Sequence, residues 1–154
     1  MSDSPGSPAP QDYLFVYGTL RSDAFSDYHR QLIAPHFSLV GRAAMPGRLY
    51  AIVDYPGMIA AQQATNLVIG EIYGFTGGEQ ALSELDEYEG CAADSPQPHL
   101  YTRTRQAAWL TSAQSAGEPA EQEAAKTIQA WVYLYNFPVN ESMLIRSGDF
   151  LDPL

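Results

Sequence analysis

The sequence has 154 residues, 45% of them hydrophobic, so it can form one globular domain with a core of its own. Its formal net charge is -10, with Lys126 as the only lysine, which argues against nucleic acid and anionic membrane surfaces as partners. Cys91 is the only cysteine, so an internal disulfide and a cysteine-based zinc site are excluded, and a reducing cytoplasm is the expected location.

Residues 1–11 are rich in Ser, Pro and Gly and lack the basic and apolar regions of a signal peptide. We expect them to form a disordered tail ahead of a single domain over residues 12–154. No apolar run approaches the roughly 20 residues of a membrane span, so the sequence predicts a soluble protein.

The first predicted element is an apolar strand from Tyr13 to Tyr17, whose composition is typical of a strand buried on both faces. The strand breaks at Gly18, where the missing Cβ permits a turn and a close approach by a ligand or another backbone. Two interpretations of this turn are open. It either points consecutive backbone N–H groups at a carboxylate or oxyanion, or simply ends a core strand.

A helix is predicted between Ser22 and Pro35, with Ser26 as its N-cap. Helical spacing places four side chains on the face that we expect to be buried: Phe25, His29, Leu32 and Ile33.

Strand composition follows over residues 37–53, with interruptions at Gly41 and at Pro46–Gly47. Tyr55–Gly57 is expected to form a turn that leads into a short apolar segment. A stronger strand signal then runs from Leu67 to Phe75.

The clearest helix signal covers residues 81–89, with Thr76 or Gly77 as the N-cap and Gly90 as the stop. Two prolines make residues 92–99 a loop.

Two further strands, Tyr101–Leu110 and Ile128–Tyr135, are predicted to pair antiparallel across a long hairpin loop over residues 111–127. Residues 145–151 are expected to pack back on the domain. Because strands are many, helices are few and the two do not alternate regularly, the sequence predicts an α+β fold. We expect a small mixed or antiparallel β-barrel flanked by short helices.

Glu89 is the most informative residue for chemistry. On a helix it shares a face with Leu82 and Leu85, where an apolar side chain would be expected. Burial would raise its pKa toward the range in which a carboxyl group serves as a general acid or base. The alternative is that the helix ends earlier and Glu89 points into water with the neighbouring acidic residues.

Two other groups of residues are candidates for the same site. The Tyr101 hydroxyl could donate a hydrogen bond to the Glu89 carboxylate, and Arg103 could balance its charge. The pattern by itself favours the alternative, that both are alternating residues of a barrel strand. The aromatic residues of the last strand share one face, which indicates core packing first and a pocket wall second: Trp131, Tyr133 and Tyr135.

Motifs for metal binding or covalent catalysis are missing from the sequence. The three histidines, His29, His36 and His99, do not have metal-ligand spacing. No Gly-x-Ser-x-Gly nucleophile elbow or Gly-rich phosphate loop occurs, and Cys91 has no basic neighbour to activate it. This leaves chemistry without a metal or cofactor, or simple binding.

Five segments in order carry a resemblance to a known family: Val16–Arg21, Gly47–Tyr50 with Tyr55–Gly57, Gly70–Tyr73, Leu85–Gly90, and Tyr101–Arg103. Together they span about residues 13–135. The chain resembles the gamma-glutamylcyclotransferase-like family, which includes the gamma-glutamylamine cyclotransferases and the plant avirulence-induced-gene-like proteins.

The resemblance implies a small mixed β-barrel with a cavity at one end and a small γ-glutamyl compound as substrate. It implies that Glu89 is the acid/base and that backbone N–H groups of one loop hold the glutamyl portion, the loop being Tyr17, Gly18, Thr19 and Leu20. The implied reaction is intramolecular and needs no cofactor: the α-amino group attacks the side-chain amide, which gives 5-oxoproline and a free amine. Tyr101 is expected to partner Glu89, and Arg21 to contribute charge near the loop.

Residues 92–99 and 111–127 depart from the animal members by their length. We expect both segments to border the cavity and to influence substrate choice. Two other functions remain open: a non-catalytic small-molecule binder that keeps the cavity, and an amide hydrolase or acyltransferase in which Glu89 activates water or an amine. The leaving amine and the oligomeric state do not follow from the sequence.

Overall fold

The computed structural model describes residues 11–52, 55–61, 66–111 and 127–152. Apart from Gln11, the predicted tail lies outside these residues, and so does most of the predicted loop over residues 111–127. The strands are β1 (Asp12–Val16), β2 (Ser38–Ala51), β3 (Pro56–Ala60), β4 (Leu67–Phe75), β5 (Tyr101–Leu110) and β6 (Ile128–Tyr135), and the α-helix is α1 (Gly78–Tyr88).

Five strands form a closed barrel. Their order is β2, β4, β1, β6 and β5, and β5 pairs with β2 to close the ring. The sixth strand, β3, pairs with the C-terminal part of β2. β1 and β6 are parallel, with Leu14 opposite Trp131, and the other pairs are antiparallel. The prediction of an α+β fold with a small mixed barrel is therefore confirmed, as is the antiparallel pairing of β5 with β6.

Alternating residues of β1 supply two separate hydrophobic clusters. Phe15 packs in the barrel interior with buried side chains from β2, β4, β5 and β6. Leu14 and Val16 point the other way, where they pack with Leu82 and Leu85 of α1. Full burial of one such side chain contributes about 1.5–3 kcal/mol, so the strand is fixed from both sides, as its composition predicts.

Helix α1 begins and ends at the predicted signals. Its N-cap is Gly77 rather than Thr76, with φ of 100°, a left-handed conformation that glycine adopts without strain. The helix ends at Tyr88, and the Glu89 N–H still donates to the Leu85 carbonyl at 2.8 Å. Gly90, with φ of 75°, then turns the chain away.

The predicted helix between Ser22 and Pro35 is two short pieces, a 3₁₀ turn at Ser22–Ala24 and a π-helical segment at His29–Ile33. Phe25 separates them, because its left-handed φ of 54° interrupts any helix. Its side chain is 90% exposed, so its expected place on the buried face was wrong, whereas Ile33 is buried. Ser26 does cap the second piece, since its Oγ accepts from the His29 N–H at 3.1 Å.

β2 runs without a break through the predicted interruptions. Gly41 is accommodated by a shift of register between Leu39 and Gly41. Pro46–Gly47 remains in the strand because β4 and β3 pair with it from the two sides. The Gly47 N–H donates to the Asn66 carbonyl at 2.9 Å. A Cβ on Gly47 would lie 2.4 Å from Met58, so a glycine suits this crowded position. The expected turn at Tyr55–Gly57 is likewise already strand from Pro56 onward.

The C-terminal segment packs back on the barrel as expected. Ile145 is buried, and its N–H donates to the Leu49 carbonyl at 2.8 Å.

The strand directions separate two ends of the barrel. One end gathers the last residues of β1 and β6 and the first residue of β5, because Tyr101 pairs with Tyr135 and β1 runs parallel to β6. The opposite end holds Leu110 of β5 and Ile128 of β6.

Candidate active site

A cavity of about 320 Å³ opens at the first of these ends. Its described walls come from the end of β1 with the loop that follows, from Pro56 at the start of β3, from the end of α1, and from the facing ends of β5 and β6. All but one of the predicted site residues line it, namely Tyr17, Gly18, Thr19, Leu20, Glu89 and Tyr101. Most of the predicted loop over residues 111–127 lies outside the described residues, so the expectation that it borders the cavity stays a prediction.

Glu89 lies in the cavity wall at the end of α1. Leu82 and Leu85 on the same face are fully buried, whereas Glu84 and Glu87 are exposed, so the sequence-based helix face is the observed one. Burial raises the pKa of Glu89 to about 8, because the ionised carboxylate loses hydration there. At neutral pH the group can therefore both hold and release a proton.

Gly18 and the turn after it form another part of the cavity wall. The Arg21 N–H closes the turn by donating to the Gly18 carbonyl at 3.0 Å. A Cβ on Gly18 would lie 2.6 Å from Pro56 Cγ, so only glycine fits without a shift of that neighbour. The turn therefore lies directly against the Pro56 ring at the start of β3, a close approach of the kind that a glycine allows.

Tyr17 fastens the start of this loop to the barrel. Its hydroxyl donates to the Tyr133 carbonyl at 2.6 Å and accepts from the Met58 N–H at 3.2 Å. Burial, with the charge of Glu89 as a lesser contribution, raises the pKa of Tyr17 well above its ordinary value. The phenol therefore stays neutral, and its hydroxyl stabilises the fold through these two hydrogen bonds.

Tyr101 lies beside Glu89 in the cavity but does not bond to it as expected. Its hydroxyl donates to the Pro56 carbonyl at 2.6 Å instead. Burial, together with the Glu89 charge, raises the pKa of Tyr101 above its ordinary value. Tyr101 is thus a wall residue whose hydroxyl ties β5 to β3.

Arg21 is not a cavity residue, which corrects the expectation that it contributes charge there. Its side chain is 1% exposed, and its guanidinium binds Asp23 at 2.7 Å and Asp149 at 2.7 Å. These carboxylates raise the pKa of Arg21 despite its desolvation. The residue instead joins the segment after the turn to the C-terminal part of the chain.

Arg103 does not balance Glu89 either. Its guanidinium binds Asp86 at 2.8 Å and Glu79 at 2.6 Å, near the two ends of α1, and lies 4.6 Å from the ring centre of Trp131. Arg103 thereby holds α1 on the barrel, and this also sets the position of Glu89 directly after the helix.

Several residues of the site have weak or no sequence signals. Tyr133 lines the cavity, and its hydroxyl donates to Asp86 at 2.8 Å. Of the two roles expected for the aromatic face of the last strand, core packing and pocket wall, Tyr133 has the second. Glu71 is buried just outside the cavity and accepts from the Ser22 N–H at 2.7 Å and the Tyr73 hydroxyl at 2.9 Å. Its only sequence signal is that it is the single charged residue of β4.

Cys91 follows Glu89 closely and is only partly exposed. Burial, with the charge of Asp86 next, raises the pKa of its thiol to about 12. An activated thiolate is therefore disfavoured, as the missing basic neighbour predicts.

Neither a metal site nor a membrane span is found in the part of the chain that the structure describes. No group of three or more His, Cys, Asp and Glu side chains there is arranged to hold a metal ion. No helix there has the length and apolar character to cross a bilayer.

The chain that forms this barrel and cavity is matched over residues 14–152 by the model of one family, "Gamma-glutamyl cyclotransferase, AIG2-like". The chain belongs to this family.

Individual proteins agree with this membership. The chain is 34% identical over 143 residues to the gamma-glutamylaminecyclotransferase of Bos taurus, covering 86% of this chain and 75% of that protein. It is 28% identical over 142 residues to a protein of Methanocaldococcus jannaschii that carries the provisional name gamma-glutamylcyclotransferase, covering 92% and 97%. The crystal structure of an AIG2-like protein from Mus musculus has the same fold, with a TM-score of 0.64, 22% identity and coverage of 90% and 87%.

Proposed function

We propose that this protein is a γ-glutamylcyclotransferase that releases 5-oxoproline from a small γ-glutamyl compound. The observation that carries the proposal is Glu89, a carboxyl group with a pKa of about 8 in the wall of the cavity at one end of the barrel. Membership in the cyclotransferase family and the name of the bovine relative support the same reaction.

The reaction is balanced within one substrate. The α-amino nitrogen forms a bond to the side-chain amide carbon, and the bond from that carbon to the leaving nitrogen breaks. Two protons pass from the α-ammonium to the leaving nitrogen, which departs as an ammonium. No water, redox partner or cofactor enters this balance. Because nucleophile and electrophile belong to one molecule, holding the folded conformer supplies most of what the protein must provide.

Glu89 is assigned the proton transfers. As the carboxylate it accepts each of the two protons that the α-nitrogen loses, one before and one after attack, and as the acid it passes each of them to the leaving nitrogen. A pKa near the operating pH suits both steps, and such catalysis contributes about 10²–10⁴-fold in rate.

The loop from Gly18 to Leu20 is assigned to the glutamyl portion. Its backbone N–H groups are the donors that we propose for the substrate carboxylate or for the oxyanion that forms at the amide carbon. The hydrogen bonds of Tyr17 and the contact between Gly18 and Pro56 keep the loop rigid, as preorganised donors require.

The test compares wild type, Glu89→Gln and Glu87→Gln on a panel of γ-glutamyl amines and γ-glutamyl dipeptides, with 5-oxoproline as the readout. We expect Glu89→Gln to lower kcat by about 10²-fold or more, and Glu87→Gln, on the exposed face of the same helix, to match wild type. Equal release by wild type and Glu89→Gln would refute the role of Glu89.

Two other outcomes separate the alternative functions. Glutamate release without 5-oxoproline would show an amide hydrolase. Binding of 5-oxoproline without turnover of any panel member would show a non-catalytic binder that keeps the cavity.

A further inference from the structure

The cavity is aromatic and contains one charged side chain among its described wall residues. That charge is Glu89, and none of the described wall residues is a lysine, arginine or histidine. Six are tyrosines: Tyr17, Tyr28, Tyr55, Tyr88, Tyr101 and Tyr133. Two arginines that were candidates for this site form ion pairs outside the cavity. Arg21 binds Asp23 and Asp149, and Arg103 binds Asp86 and Glu79.

These walls restrict the leaving half of the proposed substrate. The γ-glutamyl half brings one carboxylate, for which the loop N–H groups are the proposed partners. A second carboxylate on the leaving half would find no cation among the described walls and would lose hydration to the extent that it enters the cavity. Burial of an uncompensated charge is strongly unfavourable, so amino-acid leaving groups are disfavoured.

Tyr28 and Tyr88 form an aromatic rim at this cavity. Tyr28 is 49% exposed and Tyr88 is 37% exposed, and their ring centres are 4.8 Å apart at an angle of 42°. Large aromatic surfaces that stay exposed beside a pocket indicate contact with a ligand. Tyr88 directly precedes Glu89, so this surface adjoins the group to which we assign protonation of the leaving nitrogen.

Thr19 links the Tyr88 side of this rim to the loop after β1. The Thr19 hydroxyl shares a hydrogen bond of 3.1 Å with the Tyr88 hydroxyl. The Thr19 carbonyl accepts from the Ser26 hydroxyl, and Ser26 also caps the helical segment that follows Tyr28. The Tyr88 ring is therefore tied to the proposed glutamyl loop, and the Tyr28 ring packs against it.

We infer that the rim of Tyr28 and Tyr88 is the subsite for the leaving group and that it takes an aromatic ring, so the preferred substrates are γ-glutamyl arylalkylamides. This inference rests on the proposed function and deepens it. The cavity provides an acid/base and a glutamyl loop for the reacting half, and the rim provides ring faces for an uncharged aryl group, which stack with an offset or edge to face.

The test uses four substrates that differ in one feature each. γ-Glutamylphenethylamine carries the ring, γ-glutamylphenylalanine adds a carboxylate, γ-glutamylethylamine lacks the ring, and the γ-glutamyl amide of 1,5-diaminopentane replaces it with a cation. We expect kcat/KM for the phenethylamine compound to exceed each of the others by about tenfold or more. Equal values, or a preference for the carboxylate or the cation, would overturn the inference.

Variants connect this preference to the rim. We expect Tyr28→Ala to reduce the ratio of kcat/KM between the phenethylamine and ethylamine compounds by about tenfold, mostly through KM, and Tyr28→Phe to restore it. Phe25→Ala is the matched control, since Phe25 is an exposed aromatic residue near Tyr28 that does not line the cavity. An unchanged ratio in Tyr28→Ala would overturn the role of the rim.

Binding separates failure of this inference from failure of the proposed function. Glu89→Gln is titrated calorimetrically with the phenethylamine and ethylamine compounds. If 5-oxoproline forms from the ethylamine compound without an aryl preference, the rim inference falls and the proposed function stands. If no compound yields 5-oxoproline but the aryl compound binds tighter and Tyr28→Ala removes that gain, the reaction falls and the ring subsite stands.

Discussion

The unusual pKa of Glu89 predicts how the stability of the protein depends on pH. Its ordinary value is 4.5, and burial raises the pKa to about 8 in the folded protein. A carboxyl group raised in this way stabilises the folded state fully below about pH 4.5, and that contribution is lost as the pH rises toward 8. Glu89→Gln cannot ionise, so the variant escapes the loss.

The size of the effect follows from the two pKa values. Each tenfold change in proton affinity corresponds to about 1.36 kcal/mol, so the interval from 4.5 to 8 gives an upper limit of about 5 kcal/mol. The side chain keeps some exposure, so solvent screening reduces this figure, and we expect about 2–4 kcal/mol. Tyr17, Tyr88 and Tyr101 beside it all have a raised pKa and stay neutral over this interval.

The assay is urea unfolding of wild type, Glu89→Gln and Glu87→Gln at pH 5, 7 and 9. Subtracting the wild-type free energy of unfolding removes the groups that the proteins share. The difference for Glu89→Gln should grow by about 2 kcal/mol or more from pH 5 to pH 9, and that for Glu87→Gln should stay constant. A difference for Glu89→Gln that does not change with pH would refute the claim that this carboxyl is desolvated.

Three further predictions concern the same machinery. Arg21→Leu should lower the free energy of unfolding by about 3 kcal/mol, because it leaves Asp149 without its buried partner, and an unchanged urea midpoint would contradict this. Gly18→Ala should cost about 1–3 kcal/mol and raise KM for the panel substrates, since the added Cβ meets Pro56; kinetics like those of wild type would show that the turn adapts freely. In wild type, log kcat/KM should rise with pH and level off near the Glu89 pKa of about 8, and a profile flat from pH 6 to 9 would exclude this carboxylate as the base.

Local patterns in the sequence predict the elements around the site well. The apolar run before Gly18 gives β1, and glycine on both sides of residues 81–89 gives α1 with Glu89 at its end. Both predictions depend on residues that are close in sequence. The same patterns mark Glu89 as exceptional, because one carboxyl continues a face that is otherwise apolar.

What the sequence does not reveal depends on contacts between distant segments. Arg21 binds Asp149, which lies 128 positions away, so a basic residue beside the loop looks like a ligand contact until the C-terminal segment is in place. Pro46 suggests a strand break, but neighbours on both sides of β2 hold it in the sheet. Tyr133 follows strand alternation whether it packs in a core or lines a cavity, and only closure of the barrel decides which.

Cys91 also makes the chemistry of the site observable from outside. Its thiol, with a pKa near 12, reacts slowly with alkylating reagents as long as the end of α1 stays seated on the barrel. Because it is the only cysteine, the rate of alkylation of the whole protein reports opening of the segment that carries Glu89. The alkylation rate of the unlabelled protein is thus a direct measure of how often the segment that carries the proposed acid/base opens.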